Sequence, residues 1–204
     1  MPMARPSTKR QAKREQILSA AAAVFARQGF AGTLMADIAA AVAVGKGTLY
    51  EYFPSKEELF FAVYQWVVER QEAATRVGIS RLGGSAADRL RSLNQTVVSA
   101  CLELQAMYGL VIEFWAAAGH RKMQERFKQA FLEGYQGYRE VVTTLLEDGR
   151  RHGEFLSDVD SAALAAALVG MWDALGLQAW FDPRFDARAS ADAFIDALLR
   201  GISA

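Results

Sequence analysis

The prolines of this chain stand at positions 2, 6, 54 and 183, so 128 consecutive residues, Ser55 to Asp182, contain none. Proline removes a backbone donor and locks φ, which makes its absence over such a length a licence for uninterrupted helices. The same stretch is dominated by Ala, Leu, Glu, Gln, Arg and Met, the residues that lose least side-chain freedom in a helix. No run alternates polar and apolar residues, and Asp148-Gly149 falls inside a helical pattern instead of joining two β-branched stretches. The fold class is therefore all-α, with about nine helices expected at 10–28, 34–41, 46–52, 56–77, 86–105, 107–118, 121–151, 161–180 and 188–202. Gly29 and Gly153 follow two of them, Arg150, Arg151 and His152 crowd the negative end of the seventh, and Gly83-Gly84-Ser85 marks a loop.

At 204 residues and 22.4 kDa, with 52% hydrophobic and 23% charged residues, the chain buries a core without staples. The single cysteine, Cys101, has no intramolecular partner and fits a reducing, cytoplasmic setting. His120 and His152 stand in no metal-ligand spacing, so neither metal nor cofactor is expected. The formal net charge of zero hides an asymmetry: residues 1–56 hold eight basic side chains against three acidic ones, a net of +5, and the remainder carries −5. A basic head suits contact with a polyanion, and equally a solvated tail. Residues 1–9 are expected to be that disordered basic tail.

Two stretches imitate targeting signals. Ile17 to Ala26 is short and apolar behind a basic segment, but half of it is alanine, and Ile17, Ala21, Val24 and Phe25 share one helical face. Ser161 to Phe181 is long enough for a bilayer, yet it contains Asp173 and is flanked by acids, not by basic anchors. A buried helix at a subunit interface is expected there, and no membrane partner.

Thr33 to Lys56 carries the most specific pattern. Thr33 is placed to cap a short helix, with Asp37 one turn in, and Ile38, Ala39 and Val42 form its apolar face. A turn at Val42 to Gly45 leads to a second helix with Gly45 as N-cap. Lys46, Gly47 and Thr48 then offer a charge, a gap in the side-chain surface and a hydroxyl. Tyr50 and Tyr52 bring phenols, Phe53 points inward, Pro54 stops the helix, and Ser55 with Glu58 makes a capping box that holds Lys56 in the next first turn. Tyr50 reads equally as core or as surface. The arrangement is a helix-turn-helix, whose second helix enters a major groove.

The string ILSAAAAVFARQGFAGTLMADIAAAVAVGKGTLYEYFPSKEELF, residues 17–60, closely resembles the DNA-binding domain of the TetR/AcrR family of transcriptional repressors, most specifically in GKGTLYEYFPSKEELF. The resemblance implies a three-helix DNA-binding domain over 10–60 and a ligand-binding and dimerisation domain over 61–204. It implies that Thr33, Lys46, Gly47, Thr48, Tyr50, Tyr52 and Lys56 face DNA, with Tyr52 and Lys56 on phosphates and Lys46 to Thr48 nearest the bases. Leu34, Ala43 and Gly45 depart from the family pattern, where a hydroxyl, a glycine and a hydroxyl are usual. Arg5, Lys9, Arg10, Lys13 and Arg14 suit a backbone-tracking arm as well as a solvated tail.

In Ser161 to Phe181, Ala162, Ala166, Gly170 and Ala174 form a small-residue stripe beside Leu164, Leu168, Met171 and Leu175. With Phe194 and Leu198 of the last helix, that surface resembles half of the family's four-helix dimer interface. A homodimer would present two recognition helices about 34 Å apart to a palindromic operator. The family's effector pocket is expected among the later helices, with Phe114, Trp115, Tyr138 and Trp172 as candidate walls. Glu103 and Glu113, unusual in apolar stretches, would favour a cationic aromatic effector. The resemblance implies an effector-released repressor. An all-α enzyme built on Cys101 and distant histidines, and a helical scaffold without specific DNA binding, are the rival readings; the scaffold leaves GKGTLYEYFPSK without a purpose.

Overall fold

The computed structural model describes residues 8–79 and 83–204. Their elements are α1 (Thr8–Gly32), α2 (Met35–Ala41), α3 (Lys46–Tyr52), α4 (Lys56–Ile79), α5 (Ala86–Glu103), a 3₁₀ turn (Gln105–Met107), α6 (Tyr108–Ala117), α7 (Gln124–Arg151), α8 (Ser161–Phe181) and α9 (Ala187–Ile202). Among the described residues there is no strand, only one bridge pair, Phe155 with Ser203. The fold is all-α, as the proline spacing requires. The described residues fall into two compact units: the described parts of Met1–Arg70 with Met107–Phe127, and of Gln71–Ala106 with Lys128–Ala204.

In the first unit, α1 lays Ile17, Leu18, Ala21, Ala22, Val24 and Phe25 into the core at helical spacing. Phe60 of α4 is at the centre of an aromatic cluster, with ring centroids 5.0 Å from Phe25, 4.8 Å from Phe30, 5.1 Å from Phe114 and 5.7 Å from Phe127. α1 is broken at Gly29 (φ 69°, ψ 166°), a conformation that favours glycine, and then makes one further turn. That extra turn corrects the expectation for Thr33. The N-cap of α2 is Leu34, while Thr33 is fully buried and its hydroxyl donates to the Gly29 carbonyl at 2.7 Å. Asp37 holds its expected place, accepting the Leu34 N–H at 3.0 Å.

The α2–α3 turn closes through Val44 N–H on the Ala39 carbonyl, and Ala43 sits there at φ 53°. An L-residue with a Cβ costs about 1–2 kcal/mol in this left-handed region. Part of that gain returns as unfolded-chain entropy on introducing glycine. Ala43→Gly is therefore expected to raise stability by about 0.5–1 kcal/mol. Urea unfolding of the two proteins measures it, and a less stable glycine variant would refute the strain.

The second unit is built on α5, α7, α8 and α9. Leu90, Leu93 and Val97, Val142 and Leu146, Leu168 and Trp172, and Ala191, Ile195 and Leu199 form its core. Helix ends are fixed by side chains: Ser85 accepts from Asp88 N–H, Asp160 from Ala163 N–H and Asp186 from Ala189 N–H. Glu154 accepts the Ala86 N–H at 2.8 Å, adding a carboxylate at the positive end of α5. Residues 202–204 are stitched to the same loop, with Leu156 N–H on the Ile202 carbonyl (2.9 Å) and Ala204 N–H on the Glu154 carbonyl (3.1 Å). The Phe155 ring lies against Gly149 so closely that a Cβ there would stand 2.2 Å from it.

α8 is long and apolar enough to cross a membrane, and one of its faces lies in the second unit's core. Its Asp173 accepts from the Tyr135 hydroxyl at 2.5 Å. The expected interface residues divide. Leu168 and Leu175 are core, and Leu164, Met171 and Leu198 pack half-buried on it, because a helix apolar all round turns its larger side chains inward. α8 leaves exposed the small residues Ala162, Ala166, Gly170 and Ala174 and, at its end, Trp180 and Phe181, and α9 leaves Phe194 at 41% exposure.

Candidate nucleic-acid interface

α3 is short, and one inward side chain anchors it. Leu49 is fully buried, and Gly45 at φ −68°, ψ 149° is the N-cap expected from the sequence. With Leu49 inward, Lys46, Gly47 and Thr48 are exposed, and nothing lies within 4 Å of where a Gly47 Cβ would stand. Tyr50 is 48% exposed, which decides between its two readings in favour of the surface. Phe53 is buried as expected. Tyr52 is half-buried with the Arg10 guanidinium 5.7 Å from its ring, and Arg14 stands 5.5 Å from the Phe53 ring. Lys9, Arg10, Lys13 and Arg14 thus belong to α1 and not to a tail, and α1 brings its basic start beside the end of α3. Arg5 lies outside the described residues.

Two of the sequence-derived contacts are occupied elsewhere. Thr33 presents no hydroxyl to the surface, since it is buried on Gly29. Lys56 donates to the carbonyls of Phe30 (2.8 Å) and Thr33 (2.8 Å), lies 3.5 Å from that of Ala31, and stacks its ammonium 4.5 Å from the Phe30 ring. A lysine ammonium has three donors and no acceptor, and here they are directed at carbonyls at and just after the end of α1. Ser55 caps α4 through Glu58 N–H, while the Glu58 carboxylate pairs with Arg126. Leu34 is 63% exposed with no hydroxyl to offer. Arg10 and Arg14, which the sequence offers as an arm or a solvated tail, stand instead on α1, where their i, i+4 spacing puts them on one face.

The expected ligand residues are divided between the units. Phe114 belongs to the first unit's aromatic cluster and is buried there. Glu113 is half-buried, its carboxylate filling the space over Gly29, and Trp115 is half-buried nearby in sequence. Glu103 is exposed at the end of α5. In the second unit, Trp172 is buried and its indole N–H donates to Asn94 at 2.9 Å. Tyr138 meets Trp172 edge-on at 6.1 Å and lines a cleft of about 370 Å³. Burial pushes the Tyr138 phenol upward in pKa, with the neighbouring Thr75 hydroxyl opposing and Cys101, Glu72 and Asp173 adding to it. Burial likewise raises Asp173, against the Tyr135 hydrogen bond. The Cys101 thiol is pushed up to about 12 by burial and by Asp173, which leaves it protonated and inert as a nucleophile at neutral pH.

Residues 17–63 match the family described as bacterial regulatory proteins, tetR family, and residues 85–200 match the C-terminal part of BetI-type transcriptional repressors. The chain is 27% identical over 159 residues to the HTH-type transcriptional repressor KstR2 of Rhodococcus jostii, covering 78% of this chain and 76% of that one. It is 29% identical over 165 residues to the HTH-type transcriptional regulator UidR of Escherichia coli, covering 80% of each. Among solved structures, a transcriptional regulator from Pseudomonas aeruginosa PAO1 shares the fold at TM-score 0.82 and 23% identity, over 96% of this chain and 92% of that one.

Proposed function

Because the chain belongs to the TetR family of bacterial regulatory proteins, we propose that it acts in the cytoplasm as a homodimeric repressor whose operator grip is released by a small molecule. It is a DNA-binding transcriptional regulator, and the relatives it matches are repressors and regulators of transcription. The observation that carries the finer reading is the exposed front of α3, with Lys46, Gly47 and Thr48 outward over a buried Leu49. In this reading residues 10–60 are the DNA-binding domain and 61–204 the ligand-binding and dimerisation domain. Lys46 and Thr48 meet base edges where the bare Gly47 lets the helix approach, and Tyr50, Tyr52 and Arg10 hold phosphates. Lys56 and Thr33 act by positioning: they fix the end of α1 on which α2 begins.

Dimerisation uses the exposed small stripe of α8 with Phe194. Small residues allow two helices to approach closely, and two half-sites about 34 Å apart need two recognition helices. Tyr138 and the cleft beside it are the effector site. A ligand there selects a conformation whose recognition helices no longer match the half-site spacing, and linkage requires operator DNA to weaken effector binding by the same factor. Selection of bound duplexes from a random pool at about 0.1 M salt tests this, since nonspecific phosphate binding is weakened there. A palindromic consensus is expected. A single unrepeated half-site would overturn the dimer, and recovery of no consensus would overturn operator recognition.

A further inference from the structure

A groove of about 280 Å³ lies between α5 and α9 within the second unit and shares no lining residue with the cleft at Tyr138. Val98 and Ala191, both buried, line it with apolar surface; Arg188 and Asp192 are its charged side chains, and Gln95 and Ser99 are polar and neutral. Arg188 and Asp192 stand one turn apart on α9, a spacing at which opposite charges ordinarily meet. Among the described residues neither has an ion-pair partner. The Arg188 guanidinium donates across the groove to the Ser99 hydroxyl at 2.6 Å, and the Asp192 carboxylate accepts from the Asn94 side-chain amide at 3.4 Å. One turn further along α9, by contrast, Asp196 takes Arg91 of α5 at 2.9 Å. Asn94 is fully buried and its side-chain carbonyl accepts the Trp172 indole N–H, so the acidic pole is tied into the core. The groove therefore keeps a cation and an anion apart, each held by a neutral side chain of the opposite helix.

We propose that this groove is a second small-molecule site, taking a zwitterion of the α-amino-acid class with its carboxylate on Arg188, its ammonium toward Asp192 and a short aliphatic side chain on Val98 and Ala191. Charge selects the class. The two lining charges sum to zero, so a simple cation or anion gains one partner and faces one like charge, whereas a dipolar ion gains both. Arg188 directs one donor at Ser99, and the rest of its planar fork suits a carboxylate. Volume limits the guest to a molecule the size of one amino acid, since about 280 Å³ is at the small end of ligand cavities. The site stands whether or not the cleft at Tyr138 takes an effector.

L-Valine, isobutylammonium and 3-methylbutanoate share one branched aliphatic body and carry both charges, the cation alone and the anion alone. Saturation-transfer NMR titrations of the full chain at neutral pH are expected to give valine about fivefold tighter binding than either single ion, the gain from one further charge-assisted contact at a partly exposed site. Arg188→Gln, at an exposed position, and the isosteric Asp192→Asn are each expected to reduce valine to the affinity of a single ion. The assigned Trp172 indole N–H resonance is expected to move as valine is added to the wild-type protein, because Asp192 reaches that indole through Asn94, and to stay in place in Arg188→Gln. Valine binding no tighter than the single ions, or valine affinity untouched in Arg188→Gln, overturns the proposal. An indole shift that survives in Arg188→Gln overturns it as well, since Trp172 also meets Tyr138 and the shift would then report valine in that cleft.

Discussion

Gly47→Glu is expected to weaken binding to a selected duplex by at least about a hundredfold, about 2.7 kcal/mol, without loss of fold. The position is exposed, and a Cβ there meets nothing within 4 Å, so the substitution creates no clash in the free protein. Glycine inside a helix is worse than most residues by about 0.5–1 kcal/mol, and an acid in the first turn is favoured by the helix dipole. Thermal stability should therefore hold or rise. On DNA the same side chain stands between helix and base edges and brings a negative charge toward phosphates. Fluorescence anisotropy gives the affinity and circular dichroism the melting temperature. A melting temperature that falls together with affinity would show that Gly47 serves the fold and not the groove, and an unchanged affinity would remove α3 from the interface.

Phe60→Ala should cost about 3–5 kcal/mol of stability, the range for truncating a buried aromatic side chain. Phe60 has no exposed surface, and its ring meets rings from α1, α6 and α7. Edge-on and tilted aromatic pairs add to the burial, and several of them end at this one ring. The void would lie where four helices converge, so no single side chain can relax into it. Leu132→Ala supplies the contrast: at 46% exposure the expected change stays within about 0.5 kcal/mol. Urea unfolding of both variants against wild type gives the two numbers, and a Phe60→Ala loss below about 1 kcal/mol would mean that the cluster is loosely packed.

The helices were legible because their signals are local. Long proline-free sequence, glycines at 29 and 153, and apolar residues at helical spacing each act within a few residues, and observed boundaries lie within four residues of those expected. Gly45 as N-cap, Asp37 in the first turn of α2 and Phe53 inward were legible for the same reason. The misreadings concern partners distant in sequence. Lys56 looked available for phosphate because the carbonyls of Phe30 and Thr33 are more than twenty residues away from it. Thr33 looked like a cap because nothing in its neighbourhood announces that α1 resumes after Gly29. That Phe114 joins the cluster around Phe60 was not legible either, because aromatic residues carry no label for the cluster they join. Glu103 and Glu113 were unusual for their apolar neighbours in sequence, whereas Glu72 and Glu133, which do line a cleft, sit among ordinary polar positions. Leu168 and Leu175 could be placed on a face of α8, but whether that face met the chain's own core or a second copy was a tertiary question.

The stitching of Leu156 to Ile202 and of Ala204 to Glu154 sets an order on biosynthesis. Every residue of the first unit has been made once Phe127 is joined, whereas the second unit lacks its closing contacts until Ala204 is added. At about 5–20 residues per second, the 77 residues from Lys128 to Ala204 take the ribosome roughly 4–15 s. During that interval the emerging polypeptide holds every residue of the first unit while the second is unfinished, and a chain released a few codons before Ala204 would lose the seam that closes the latter.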